Sequence, residues 1–284
     1  MHLYEQLRAS QQVPHAYEKW DEYRMHLTDY ILKETSEKGS IALLGIGKGA
    51  DIDLARLVAQ NRKLVLIDCD ERAMQEACQH YDVMNHPSIT CYVQDFVGIS
   101  ESVYRRFIDD LIQTLRIDGV HTSLPHYANY VTRYIKEIYV TYCKTNNQWV
   151  VPSCDYGVII GVHSQLLNTF AWVWQIILET LQQEEDTVKQ LLHELNQDLM
   201  PYINTELLKQ IKKKVIVGLE VERVGRMGAV EGAFQAREDF DLRRQRGEVV
   251  LGTSKTLLWP FDTEAEIVYH MQFQSLFKKE AYDR

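Results

Sequence analysis

The stretch SIALLGIGKGADIDLARLVAQNRKLVLIDCD, residues 40–70, decides the fold. An apolar run, Ile41 to Leu44, enters a glycine turn, Gly45-Ile46-Gly47-Lys48-Gly49. A polar-capped helical segment from Asp51 to about Gln60 follows, and a second apolar run, Leu64 to Ile67, ends on Asp68. Strand, glycine loop, helix, strand, acid is the opening of a nucleotide-binding βαβ unit. Glycines let the backbone approach a ligand closely, because no Cβ intervenes. An acid closing the second strand can accept from both hydroxyls of a ribose.

Outward from this stretch, the pattern continues as an α/β chain. Strands are expected at about 41–45, 63–67, 88–94, 156–160 and 215–221, with helices at about 51–60 and 70–81. Between the third and fourth strands lie about sixty residues, more than a single crossover helix needs. Helices are expected there at about 101–117 and 128–146. Further helices are expected at about 165–183, 187–199 and on to 212, with Pro201 as an interruption, and another over part of 228–246. Val249 to Leu258 and Glu266 to Phe273 read as an antiparallel pair closing the sheet, joined through Trp259-Pro260-Phe261-Asp262. Residues 1–38 read as two amphipathic helices with Trp20, Tyr23, Leu27, Tyr30 and Ile31 at helical spacing. The expected organisation is an N-terminal helical cap, 1–39, and a main domain, 40–284, with a helical insertion at about 101–150.

Composition narrows the class. The 284 residues are 45% apolar and 25% charged, ordinary for a globular protein, and the net charge is −9. Nucleic acid is not expected as a partner, since phosphate neutralisation needs clustered cations. Lys212-Lys213-Lys214 and Arg243-Arg244-Gln245-Arg246 read as solvated or helix-end clusters. Five scattered cysteines without CxxC spacing fit small buried hydrophobes in a reducing cytoplasm, not disulfides or zinc. No leader is visible in the first forty residues. The longest near-apolar stretch, Phe170 to Leu178, is too short to span a bilayer, so no membrane partner is expected. The apolar helix at 165–183 is a candidate interface for a homo-oligomer.

The loop fits two patterns. With Ala50 as third small residue, Gly45, Gly47 and Ala50 make a dinucleotide fingerprint of the Rossmann type. With Gly45, Gly47 and Gly49 alternating, it resembles the loop of the class I S-adenosylmethionine-dependent methyltransferases. The remaining chain resembles the second family in four further places. Asp68 stands where the family's ribose-binding acid ends the second strand. Gln94-Asp95-Phe96 ends the third strand, where an acid often accepts from the adenine amino group. Cys154-Asp155-Tyr156-Gly157-Val158-Ile159-Ile160 resembles the entry to the fourth strand, and 249–273 matches the terminal antiparallel hairpin.

The resemblance implies a Rossmann-like, mostly parallel seven-stranded sheet with helices on both faces and a C-terminal antiparallel pair. It implies S-adenosylmethionine as cofactor, with Gly45, Gly47, Gly49, Asp68, Cys69, Asp95, Phe96 and Ile160 at its site. The implied activity is methyl transfer to a small-molecule acceptor, under a lid formed by the N-terminal helices and the insertion. His163, just past the fourth strand, is the candidate catalytic base. Tyr127 and Tyr130 are candidates to line the acceptor pocket, with Glu220 and Glu222 as candidates to bind a polar group. His121 and His126 are weaker candidates, without metal-ligand spacing, and no metal is expected. One departure stands out: the family's acid two residues before the first glycine is Leu43 here. Recognition of the cofactor's ammonium must therefore come from elsewhere, such as backbone carbonyls at Gly45 and Ile160. Two alternatives stay open. One is a methyltransferase fold that binds cofactor or partner without catalysis. The other is an NAD(P)-dependent oxidoreductase, although no TyrxxxLys pair stands in register.

Overall fold

A computed structural model describes residues 2–10, 12–35, 38–60, 62–118, 123–145, 149–225 and 230–279. In chain order these residues form helices α1 (Leu3–Ser10), α2 (Ala16–Lys19) and α3 (Asp21–Glu34), then strand β1 (Ser40–Leu44). The βαβ opening follows as α4 (Leu54–Ala59), β2 (Lys63–Asp68), α5 (Glu71–His80) and β3 (Ile89–Val93). Helices α6 (Glu101–Asp118) and α7 (Leu124–Ile138) lead through a π-helical turn, Tyr139–Thr145, to β4 (Cys154–Ile160). The chain ends with α8 (Asn168–Leu181), α9 (Thr187–Gln210), β5 (Ile211–Arg223), α10 (Glu231–Gln245), β6 (Val249–Asp262) and β7 (Ile267–Lys278).

The described strands form one seven-stranded sheet in the order β3-β2-β1-β4-β5-β7-β6. Strands β3 through β5 are parallel, and β7 runs antiparallel between β5 and β6. Chain direction across the sheet reverses between β1 and β4, the switch point at which open α/β sheets bind ligands.

Period-2 alternation sorts the strand residues to two faces. Ile41, Leu43, Leu64, Leu66, Val158 and Phe273 are buried in one cluster with residues of α3, α4 and α5. On the other face, Ala233, Ala236 and Phe240 of α10 are buried, and Phe240 and Arg237 line a cavity of about 310 Å³ with Val217 and Leu219 of β5. Each fully buried Leu or Phe contributes roughly 1.5–3 kcal/mol. Aspartates define two helix starts. Asp53 accepts from Arg56 N at 3.0 Å and begins α4 there, and Asp70 accepts from Arg72 N and Ala73 N at the start of α5.

The chain packs into two compact units. One comprises Met1–Gln12, Asp95–Gln148 and Gln165–Leu199, the other Val13–Gln94, Trp149–Ser164 and Met200–Arg284. The sheet unit includes α3, whose Tyr23, Leu27, Tyr30 and Ile31 share the core of the strands. In the helical unit α1 packs on α6 through Tyr4 and Tyr104 (6.0 Å between rings) and an Arg105–Glu5 ion pair of 2.8 Å. Phe107 packs edge-on to Phe170 at 5.0 Å.

Three expectations change. Pro201 lies inside α9 and does not interrupt it. A proline there forfeits one helical hydrogen bond and crowds the preceding turn. Two bonds hold this turn, since Arg243 Nη2 of α10 (2.9 Å) and Thr205 Oγ1 one turn on in α9 (2.6 Å) both donate to Pro201 O. The Trp259-Pro260-Phe261-Asp262 segment belongs to β6, and the reversal falls after it, where Asp262 Oδ1 accepts from Glu264 N and Ala265 N. Cys69 and Cys91 are exposed and are not buried hydrophobes like Cys78, Cys143 and Cys154. For Cys91 the reason is that β3 is an edge strand.

Candidate active site at the C-terminal edge of the sheet

The glycine loop leaves β1 with three residues at positive φ: Gly45 (72°), Gly47 (50°) and Gly49 (66°). Such angles are costly for residues with a Cβ. The two later glycines differ. A Cβ on Gly49 would stand 3.1 Å from Ala77 Cβ, so this glycine serves close packing on α5. A Cβ on Gly47 would meet nothing within 4 Å, so this glycine presents its face to open space, as a ligand-contacting turn requires.

Asp68 holds that turn. Its Oδ2 accepts from Gly47 N at 2.8 Å and its Oδ1 from Asp70 N at 2.9 Å. Burial raises its carboxyl above the ordinary range, against these two hydrogen bonds. Cys69 sits beside it, with its thiol within reach of the carboxylate. The expected ribose acid is thus also the clamp of the loop. Leu43 is 1% exposed and faces the core of the sheet. Lys48 turns aside to Glu76 Oε2 at 2.7 Å on α5.

Asp51 follows the loop and precedes α4. Burial raises its carboxyl to about 6, moderated by Arg24, whose Nη1 donates to Ala50 O at 2.9 Å. A carboxyl with a folded value above its unfolded one destabilises the fold as pH rises through that window, here from about 4 to about 6. Asp51→Asn is therefore expected to gain stability over the wild type between about pH 4 and pH 7. Urea midpoints at the two pH values check this, and an unchanging difference would show that Asp51 titrates normally.

Past β4, Gly161 (φ 64°) turns the chain, and His163 is sealed in at 1% exposure. Its Nε2 lies 3.0 Å from Asn204 Oδ1. Asn204 Nδ2 donates to Asp239 Oδ2, and Asp239 pairs with Arg243 at 2.7 Å. Because Asn204 presents its oxygen to the ring, Nε2 carries the proton. Burial lowers the imidazole to about 4, so it is neutral and a weak base at neutral pH. Expected as the catalytic base, His163 has its Nε2 committed to Asn204 of α9 and its Nδ1 buried without a hydrogen-bond partner among the described residues. Ser164 Oγ lies 2.8 Å from Glu220 Oε1 and 3.0 Å from Gly161 O. Glu220, in β5, is 4% exposed, while Glu222 is exposed.

The remaining candidates divide by unit. Ile160, 9% exposed, belongs to the core of the sheet unit. Asp95 and Phe96 belong to the helical unit. Asp95 Oδ1 accepts from Val97 N (2.7 Å) and Gly98 N (2.9 Å), and Phe96 is buried. Tyr127 is a core side chain of the same unit at 2% exposure, and its hydroxyl donates to Leu111 O at 3.0 Å. Tyr130 is half-buried, with Arg133 over its ring. The hydroxyl of Tyr127 is thus committed to backbone, and burial raises it further. His121 lies outside the described residues. Among the described residues, no three His, Cys, Asp or Glu side chains converge as a metal site would require.

No family model matches the sequence, and no curated protein matches it. Solved structures do. The magnesium protoporphyrin IX methyltransferase of Synechocystis PCC 6803, with bound SAM, aligns at 9% identity over 94% of this chain and 85% of its own, with a TM-score of 0.48. The O-methyltransferase of Bacillus cereus, in complex with SAH, aligns at 11% identity over 97% and 89%, with a TM-score of 0.43. A SAM-dependent methyltransferase of Aquifex aeolicus aligns at 10% identity over 88% and 89%, with a TM-score of 0.43. The strand order decides the fold independently of these likenesses. Strand β7 lies antiparallel between β5 and β6, whereas a dinucleotide-binding sheet runs 3-2-1-4-5-6 in parallel. The fold is that of the class I methyltransferases. The glycine loop and Asp51 follow β1, Asp68 ends β2, and Gly161, Ser164 and Glu220 cluster past β4 and in β5. Sequence reasoning did not single out Asp51, Gly161 and Ser164 as candidates. Their only signal is position, each lying just past a strand or its loop.

Proposed function

We propose that this protein transfers methyl groups from S-adenosylmethionine to a small-molecule acceptor. The observation that carries the reading is the clamped glycine loop. A Cβ on Gly47 would meet nothing within 4 Å, and its amide is fixed by the acid that ends β2. The residues fit the nucleoside end of the cofactor. Asp68 has two oxygens with about four lone-pair sites. Two backbone amides use part of that capacity, and the rest can accept from ribose hydroxyls. When bound, S-adenosylmethionine supplies a methyl group on a sulfonium, an electrophile that needs no base. That methyl group would be open to a lone pair of the acceptor, with the acceptor's proton released to solvent. The protein's part is to hold the reactants in line and exclude water. A buried, neutral His163 is consistent with chemistry that uses no general base, and we assign it a positioning role.

The acceptor class is part of the proposal. The net charge of −9 supports a small molecule over a polyanion. Among the described residues no helix is long and apolar enough to cross a membrane. Cytoplasmic residence is proposed from the five cysteines, which lack the spacing of a disulfide framework. Asp95 and Phe96 stay in the proposal as adenine contacts and Tyr130 as an acceptor contact.

Calorimetry with S-adenosylmethionine, S-adenosylhomocysteine and NAD(H) tests the reading. Binding of the two sulfur nucleotides without NAD(H) is expected. NAD(H) binding alone would overturn it in favour of an oxidoreductase. Binding of none would leave an interaction protein built on this fold.

A further inference from the structure

Among the buried polar atoms of the sheet unit that lack a hydrogen-bond partner among the described residues, three share one neighbourhood: Glu220 Oε2, Tyr23 OH and Trp259 Nε1. Their residues are 4%, 3% and 6% exposed. The Tyr23 and Trp259 rings stack at 5.5 Å between centroids, inclined by 13°. A Cβ on Gly161 would lie 3.1 Å from Glu220 Oε1 and 3.8 Å from Trp259 Cζ3, so that glycine brings the backbone up to both side chains. Glu220 and Asp51 are each close enough to act electrostatically on the Tyr23 hydroxyl. Trp20 extends the aromatic wall, 5.0 Å from Trp259.

An unmade buried hydrogen bond costs about 1–3 kcal/mol, and unsatisfied groups in folded proteins are few. Three such atoms gathered around the turn after β4 are unmet capacity that a ligand could satisfy. The backbone is shaped for it as well. Register in the β5–β7 pair shifts between Glu220 and Glu222, and such bulges re-aim side chains near active sites. Asp51 has Arg24 nearby as a compensating cation, whereas Glu220 makes no ion pair among the described residues.

The chemistry of the three atoms selects the ligand. A carboxylate oxygen asks for a donor, and aromatic faces beside it favour a cation. The indole N–H can only donate, so the ligand must also carry an acceptor. We propose that Glu220, Tyr23 and Trp259 form a subsite for an ammonium group borne next to a hydrogen-bond acceptor, the arrangement of an α-amino acid. The ammonium pairs with Glu220 Oε2 against the aromatic wall, and the neighbouring acceptor receives from Trp259 Nε1 and Tyr23 OH. Two sources present this group: the amino-acid end of the cofactor, or an amino-acid-like methyl acceptor. The first rests on the proposed function, and would supply the acid that Leu43 does not.

Glu220→Gln, which keeps the shape and the Ser164 contact, separates the sources. Binding of S-adenosylhomocysteine is compared with that of 5′-methylthioadenosine, which lacks the amino acid. Loss of about tenfold or more for the first alone supports the subsite and assigns it to the cofactor. L-phenylalanine and L-norleucine, each beside its Nα-acetyl form, are titrated in a second arm with and without S-adenosylhomocysteine. A preference for the free amine that Glu220→Gln removes supports the subsite and assigns it to the acceptor. No such loss in either arm overturns it. If the wild type binds neither nucleoside, the methyltransferase reading fails, and the amino-acid arm alone decides the subsite. Tyr23→Phe, which removes no internal hydrogen bond, replaces Glu220→Gln in both arms if that variant does not fold, with a loss of several-fold expected.

Discussion

Gly232→Ala is expected to destabilise the protein by about 3 kcal/mol, near the upper end of what overpacking costs. Gly232 lies in the first turn of α10. A Cβ there would stand 2.1 Å from His163 O, 2.8 Å from His163 C and 3.0 Å from Ser164 Cα. All three are backbone atoms, so no rotamer change can relieve the contact. Helix α10 and the turn after β4 would have to part. That separation would pull His163 from Asn204, and with it the chain through Asp239 to Arg243. Ser164 would move from Glu220 as well, so binding at the sheet edge should fall together with stability. Urea unfolding followed by circular dichroism reads the first effect, and a midpoint equal to that of the wild type would refute the close approach. Gly47→Ala makes a control. A Cβ on Gly47 meets nothing, so only its positive φ resists, at roughly 1–2 kcal/mol.

Asp68→Ala has the largest effect expected on binding. Two charge-assisted hydrogen bonds disappear, from Gly47 N and Asp70 N. Each leaves an amide without its acceptor, at about 1–3 kcal/mol where water cannot replace it. An opposing gain comes from the buried charge, because desolvation already raises this carboxyl. Net loss of stability should therefore be modest, about 1 kcal/mol. Nucleotide binding has no such offset. The loop loses its clamp and the ribose loses its acceptor together, so affinity for S-adenosylhomocysteine should fall by about 1–3 kcal/mol, a factor of roughly 5 to 150. Calorimetry of the variant measures it. Unchanged affinity with lowered stability would leave Asp68 as a loop clamp outside the ligand site.

Much of this architecture was legible without coordinates. The apolar runs from Ile41 to Leu44 and Leu64 to Ile67 are β1 and β2, and the glycine turn lies between them. Asp70 caps the following helix, as a short acceptor before an apolar-periodic segment should. The last two strands read as an antiparallel pair from their β-branched content and form one. Local rules failed where distant residues intervened. A proline disfavours a helix interior by itself, but Arg243, forty-two residues on, binds the turn of Pro201. The place of His163 after β4 is legible in the sequence, but its enclosure by Asn204 and Gly232, far along the chain, is not.

The sequence by itself determined the strands, the helices, the glycine loop with its acid, and through them the fold. These depend on side-chain period, on φ preference and on caps within a few residues, all of which are local. Only the tertiary structure decided which polar groups are satisfied. Asp68 closes the loop instead of standing free, His163 is neutral and enclosed, and Glu220, Tyr23 and Trp259 share unspent hydrogen-bonding capacity. Satisfaction of a buried polar atom is set by neighbours brought in from anywhere along the chain. No spacing in the sequence records it.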